Sequence, residues 1–418
     1  MKCLILDDDP TGTQSASDVT VLLRWDADII AETLRNHDAA YVLTNTRAVD
    51  EAEAVRLLTS IRNDRDQAAE ELGEPIQIVL RGDSTLRGHV FAETEVFATS
   101  NDVVVFLPAF PQGGRTTIDG MHYVHLDGKN IPAHDSEYAD DPVFPFDSGY
   151  LPEYVAARSS RPTQTVPLAQ VRSGALRNVL GSVAPGTVVL PDAETDDDIR
   201  LAADAIRQAW EAGASVVVRS ASPLAAAIAG VESSGLLPHP VTEASAATLL
   251  VCGSHTEGAT RQLNQAALQW GEAVTVNTEA ALADTRVEAQ RLTELLTTQL
   301  TDSGYAAVAS DRHRRAEHNT LEHGERVMDT LTRVVAEVRN SVATVVSKGG
   351  ITSADVARIG LGADRAHVRG QVLTGVSVWD LATPEGTAIT YVVVPGNVGD
   401  PATIVDALTA VQAPVPQH

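Results

Sequence analysis

At 418 residues and 44% hydrophobic content, the chain is long enough for two folded cores, because single cores stop growing well below this length. A formal net charge of −25 argues against nucleic acid or an anionic membrane as partner, since both attract basic surfaces. Cys3 and Cys252 lie in apolar strand-like runs and read as buried thiols of a reducing compartment. The start "MKCLILDDDP" brings acid too early for a signal peptide, and no apolar run approaches about 18 residues, so a cytoplasmic protein is expected.

Runs that are apolar on both faces alternate with amphipathic stretches from the first residues onward, which predicts parallel α/β sheets. "CLIL" (3–6) is the first strand. "DDDPTGTQ" (7–14) follows, with three adjacent acids that need a cation, an arginine or donated hydrogen bonds to coexist. "AAYVLT" (39–44) leads into "NTRAVD", with Arg47, and a helix over 50–72. "IQIVL" (76–80) leads into "RGDSTLRGHV", with Arg81, Asp83, Ser84 and Arg87. "VVVFLP" (103–108) leads into "AFPQGGRTT", with Arg115. Residues 127–165 are rich in Pro, Asp and Ser and lack periodicity, so they read as a long excursion over the first domain. "TVVLP" (187–191) and "SVVVRS" (215–220) complete its strands.

Open parallel sheets bind ligands at the carboxyl ends of their strands. Asp8, Asp9, Arg47, Arg81, Asp83, Ser84, Arg87 and Arg115 are therefore expected along one edge of one sheet. Any one such aspartate more often caps a helix, and any one arginine more often sits in solvent. Four successive strand ends carrying them together point to a binding site. Guanidinium forks suit a carboxylate, and aspartates suit sugar hydroxyls, from which one could take a proton. His122 and His125 in "MHYVHLDG" do not make a metal site without further placed ligands.

A Ser-, Pro- and Gly-rich stretch (231–246) marks the domain boundary, giving domains of 1–235 and 236–418. The alternation restarts with "ATLLVCGS" (247–254), "AVTVN" (273–277), "YAAVAS" (305–310) and "ATVVS" (343–347). "TGVSVWDL" and "AITYVVVPG" predict a late, partly antiparallel addition. Three strand-to-helix turns carry glycine. One opens a helix near Ser254–Thr256. Another passes through Lys348, Gly349 and Gly350, with Thr352 and Asp355 at capping-box spacing. The last passes through Gly396 and Gly399, with Asp400 as N-cap and Pro401 at the first helical position. Such turns let a phosphate reach backbone N–H groups at a helix start, although α/β turns need glycine for their own geometry as well. Lys348 is one of three lysines in the chain and sits where a compact charge beside a phosphate would. Neither a strict P-loop nor a dinucleotide fingerprint is present.

Taken in order, "DDDPTGTQ", "TNTRAVDEAEA", "RGDSTLRGH", "PAFPQGGRTTIDGMHYV", "VCGSHTEGATRQ", "SKGGITSADV" and "VVPGNVGDPATIVDAL" resemble the motifs of the four-carbon acid sugar kinase family, nearly end to end. The resemblance implies two α/β domains, each a mainly parallel sheet flanked by helices, with the active site in the cleft between them. It implies an N-terminal domain for a sugar acid such as threonate, erythronate or 3-oxo-tetronate, and a C-terminal domain for ATP with Mg2+. Carried over, Asp8 or Asp9, Arg47, Arg81, Gly82, Asp83 and Ser84 contact the acid sugar. Ser254, Gly349, Gly350, Ile351, Thr352, Gly396 and Gly399 contact ATP. Asp83 or Asp9 would orient or deprotonate the attacking hydroxyl, and no metal ligand is assigned. A homodimer is compatible with this reading. The chain departs from many members in having Asp7 and Pro10 around its first motif, and Ile351 where an acid is common. The rival readings are a dehydrogenase or aldolase of the same sugar acids and a non-catalytic acid-sugar sensor. A missing dinucleotide fingerprint, no obvious Schiff-base lysine and no appended DNA-binding segment count against them in turn.

Overall fold

A computed structural model describes residues 1–126, 128–233, 235–312, 321–396 and 398–416. The chain forms two compact units, Met1–Val19 with Trp25–Glu232, and Thr20–Arg24 with Ser233–His418.

The first unit holds seven parallel strands. Their spatial order is Ala39–Leu43, Lys2–Asp7, Ile76–Arg81, Val216–Ser220, Val103–Leu107, Val188–Pro191 and Thr163–Val166. Both faces of the central strands are buried, as their unbroken apolar runs require. The helix Glu51–Leu72 starts on Asp50, whose side chain accepts from Glu53 N, and buries Ala54, Leu58, Ile61 and Ala68 along one stripe. Asp7 is level with both Leu43 and Arg81 in the pairing register. The residues after all three strands therefore emerge on one rim. The chain leaves the first strand to one side and returns on the other, so the strand order reverses between Lys2–Asp7 and Ile76–Arg81. Parallel sheets open their ligand crevice at such a reversal.

The excursion is more regular than its composition suggests. Arg115–Ile118, Met121–Leu126 and Lys129–Pro132 form a small antiparallel sheet, Leu151–Ala156 is helical, and Thr163–Val166 is the edge strand. These short elements are half-buried and broken by Pro and Asp, so they leave no periodic signal.

In the second unit Val274–Thr275, Tyr305–Ala309, Thr248–Cys252, Thr344–Lys348 and Ala388–Val394 run parallel. Val376–Ala382 and Arg365–Leu373 continue the sheet antiparallel, and Val19–Leu22 stands beside Arg365–Leu373. The core gathers Leu250, Val346, Val378, Val392, Tyr305 and Trp270. Thr256 caps the helix Glu257–Trp270, as its position after a strand predicts. Two expected caps are placed differently. The helix Gly350–Asp355 starts on Gly349 without a side-chain cap, because the Thr352 hydroxyl is turned inward against Met328 Sδ at 3.8 Å. The last helix, Thr403–Ala410, starts on Ala402, since Asp400 accepts from Ala402 N at 2.8 Å and closes a turn one step earlier. Among the described residues, no helix is long and apolar enough to cross a membrane.

Candidate functional site

The rim of the first unit is built around Arg81. Its Nη1 lies 3.0 Å from Asp7 Oδ1, 3.2 Å from Asp8 Oδ1 and 2.8 Å from Asp9 Oδ1, and its Nη2 donates to Thr11 Oγ1 at 3.0 Å. One guanidinium thus lets three consecutive carboxylates coexist. Among the described residues these three are the acids close enough together to share a metal ion. Arg81 already stands at their centre, so the set does not fit a resident Mg2+. Burial pushes the Asp7 carboxyl up to about 7, against the pull of Arg81.

Arg47 forms the next layer. It pairs with Asp9, lies 3.3 Å from Asp8 Oδ2 through Nε, and reaches Asp83 Oδ1 at 3.7 Å. Asp83 Oδ2 accepts from Arg87 Nε at 2.8 Å and from the Thr85 hydroxyl. Burial opposes ionisation of Asp83, but Arg87 and Arg47 outweigh it and hold the carboxyl well below the usual carboxylate range. Arg87 Nη1 is 3.4 Å from Asp141 Oδ2, and its guanidinium stands 5.3 Å from the Tyr138 ring centre. Arg115 approaches the same ring at 6.0 Å. Ser84 is buried, and its carbonyl faces His122 Nε2 at 2.8 Å. His122 is itself buried, and His125 bonds Asn130 at 2.7 Å.

The structure thus brings Asp8, Asp9, Arg47, Arg81, Asp83, Ser84 and Arg87 together, with Arg115 at the margin. It turns Arg81 inward, at 2% exposure, and leaves Arg47, Asp83 and Arg87 nearer the surface. Sequence reasoning missed Arg219. This fully buried arginine pairs with Glu93, lies 3.5 Å from Asp8 Oδ2 through Nη2, and packs under Gly82, where a Cβ would overlap its guanidinium. A charge inside the otherwise apolar strand "SVVVRS" was the available signal. Tyr138 and Asp141 come from the excursion and carried none.

In the second unit the strand order reverses between Thr248–Cys252 and Thr344–Lys348, and the glycine turns meet there. Gly253 N and Ser254 N donate to Lys348 O at 3.2 and 3.3 Å, and Gly349 N donates to Val394 O at 2.9 Å. Gly349 has φ 118, which disfavours any side chain, and a Cβ there would stand 3.3 Å from Ser254 N. Thr256 Oγ1 donates to Gly396 O at 3.3 Å, and a Cβ on Gly396 would come within 3.4 Å of Ser254 Oγ. Ser254, Gly349 and Gly396 therefore lie against one another beside the start of the helix Gly350–Asp355, where N–H groups lack intrahelical partners. Ile351 is 41% exposed beside it, whereas Thr352 is buried. Gly399 belongs to the turn over Thr403. Lys348 differs from expectation: its amine is buried and donates to Pro395 O at 2.6 Å and Val398 O at 3.2 Å, so it ties down the glycine loop from below.

The sequence matches two family models along its length, a sugar-binding N-terminal domain over residues 3–228 and a nucleotide-binding C-terminal domain over residues 249–404. It is 28% identical to a D-erythronate kinase of Heliobacterium modesticaldum, over 86% of this chain and 79% of that protein. It is 26% identical to a D-threonate kinase of Salmonella typhimurium, over 78% of each. The fold is similar to a solved Salmonella typhimurium structure with a TM-score of 0.71, at 19% identity over 97% of this chain and 98% of that one. The first model alone spans more than half of the sequence, and the second follows it in the same order, so the chain belongs to the four-carbon acid sugar kinase family.

Proposed function

We propose that this protein is an ATP-dependent kinase that phosphorylates a hydroxyl of a small sugar acid, with four-carbon acids such as erythronate and threonate as its substrate class. The observation that carries the reading is one chain with two unlike strand-end sites, one of arginines and aspartates, the other of glycine turns at a helix start. The kinase names of its relatives support the same class. Arg47, Arg87 and Arg115 are the groups offered to the substrate carboxylate. Asp83, with Asp9, is offered to the attacking hydroxyl. A carboxylate held so firmly ionised is a weak proton acceptor and a good hydrogen-bond acceptor, so Asp83 orients the hydroxyl more than it deprotonates it. That suffices for phosphoryl transfer, which depends mainly on positioning and charge stabilisation. Ser254, Gly349, Gly350, Ile351 and Gly396 line the place of the ATP phosphates, and Mg2+ arrives as the partner of ATP.

The test is phosphate transfer from MgATP to a panel of threonates, erythronates and 3-oxo-tetronates. Turnover of at least one acid, with MgATP raising the melting temperature, is the expected result. Binding of an acid with no turnover of any would overturn the kinase reading and favour a sensor.

A further inference from the structure

We propose that His122 is a positioning residue for the acid-sugar edge: it fixes the Ser84 carbonyl and so sets where the Asp83 carboxylate stands. Its kinetic consequences rest on the kinase reading above, while its geometry does not.

His122 lies on the middle strand of the small antiparallel sheet and is 0% exposed. Its Nε2 is 2.8 Å from Ser84 O. A carbonyl only accepts, so Nε2 carries the proton and Nδ1 is the acceptor; Thr117 Oγ1, 3.0 Å away, donates to it. Burial pushes the imidazole down to about 4, in keeping with a neutral ring in this one tautomer. Thr117 faces His122 across the strand pair and exchanges backbone hydrogen bonds with Ala193, just past the strand Val188–Pro191. A continuous relay therefore runs from the main sheet through Thr117 and His122 to Ser84.

The loop at the end of this relay needs such support. Residues 82–89 form no regular element, and Leu86 (φ 68) and Gly88 (φ 117) have left-handed backbone. The Asp83 carboxylate is held by Thr85 and Arg87 of the same loop, whose bonds move with it, and from outside the loop by Arg47 at 3.7 Å. The loop is located from outside by Gly82 N on Ser220 O, His122 on Ser84 O and the Tyr154 hydroxyl on Leu86 O at 2.7 Å. Gly82 N and His122 anchor the backbone on either side of Asp83, and of the two only His122 does so through a side chain. Losing its N–H strands a buried carbonyl and releases the 84–85 peptide to turn.

Two substitutions separate this role from simple space filling. In His122→Gln the side-chain amide nitrogen reaches the place of Nε2 and still donates to Ser84 O. In His122→Asn the shorter amide reaches only the place of Nδ1. Asn is one methylene smaller than Gln and leaves the larger gap at this buried site, so both variants are assayed well below their own melting temperatures. His122→Gln is expected to keep kcat/KM for the sugar acid within about fivefold of the unmodified protein, while His122→Asn loses about 10²-fold, with KM for ATP unchanged. Equal kinetics in the two variants would overturn the proposal. If the unmodified protein turns over no sugar acid, the kinase reading falls by itself. The same pair is then judged by the thermal shift that the acid produces, kept in Gln and lost in Asn; equal shifts would again overturn it.

Discussion

Asp83 and Lys348 carry opposite charges into nearly dry surroundings and answer in opposite ways. Asp83 has two guanidinium partners and stays ionised. Lys348 has backbone carbonyls as partners, and burial pushes its amine from 10.5 down to about 8. Below pH 8 the amine is charged in both the folded and unfolded chain, and the cost of burying the charge is felt in full. Between pH 8 and 10.5 the unfolded chain holds a proton that the folded chain has released, so the contribution of Lys348 to stability rises with pH across that window. Lys348→Met removes the titration and leaves the other groups in place. Urea unfolding at pH 7.5, 8.5 and 9.5 should therefore show the unmodified protein gaining stability relative to the variant as pH rises. A difference independent of pH would mean that the amine is not desolvated. The variant should also bind MgATP more weakly, because Pro395 and Val398 lose the donor that holds the Gly396 loop.

At the scale of elements, the parallel strands could be read directly because most are apolar on both faces, and the polar residues behind them fall together on one rim. That reasoning reached Asp8, Asp9, Arg47, Arg81 and Asp83, which lie at or within four residues of their strand ends. It failed for Arg365–Leu373, whose "RAHVRGQVL" mixes charge, glycine and alternating exposure, and for the short strands of the excursion. It also missed Arg219, Tyr138 and Asp141, whose roles arise only from what the fold places beside them. The glycine turns show the same divide, since identical residues serve packing in one place and access in another. A Cβ at Gly253 would overlap the Thr352 hydroxyl, whereas one at Gly396 meets nothing closer than Ser254 Oγ at 3.4 Å. Gly253→Ala should destabilise the second unit by about 1–3 kcal/mol, read as a lower urea midpoint. Gly396→Ala should leave that midpoint unchanged and weaken MgATP binding by roughly 10-fold or more, through loss of close backbone approach. If Gly396→Ala binds MgATP normally, the phosphates lie elsewhere.

For the whole molecule, the chain order and the folded units do not coincide. Composition suggests a boundary at 235/236, but Thr20–Arg24 belongs to the second unit. Leu23 N and Arg24 N donate to Asp364 O at 2.9 and 3.1 Å, and the strand Val19–Leu22 lies beside Arg365–Leu373. A fragment of residues 236–418 therefore lacks one strand of its own sheet. Its outermost strand would be Arg365–Leu373, nine residues long and carrying buried Val368 and Val372; Leu237 N still donates to Gln371 O, but the backbone groups that faced Val19–Leu22 are left unpaired. Such an edge recruits other strands, so the fragment alone should aggregate or melt early. A peptide of residues 17–26 added in trans should occupy the vacant place by strand addition. It should raise the melting temperature of the fragment in a saturable way, while a scrambled peptide of the same composition leaves it unchanged. The opposite result, a monomeric fragment whose stability is indifferent to the peptide, would show that the second unit closes without the N-terminal strand. The composition-based boundary would then also be a boundary of folding.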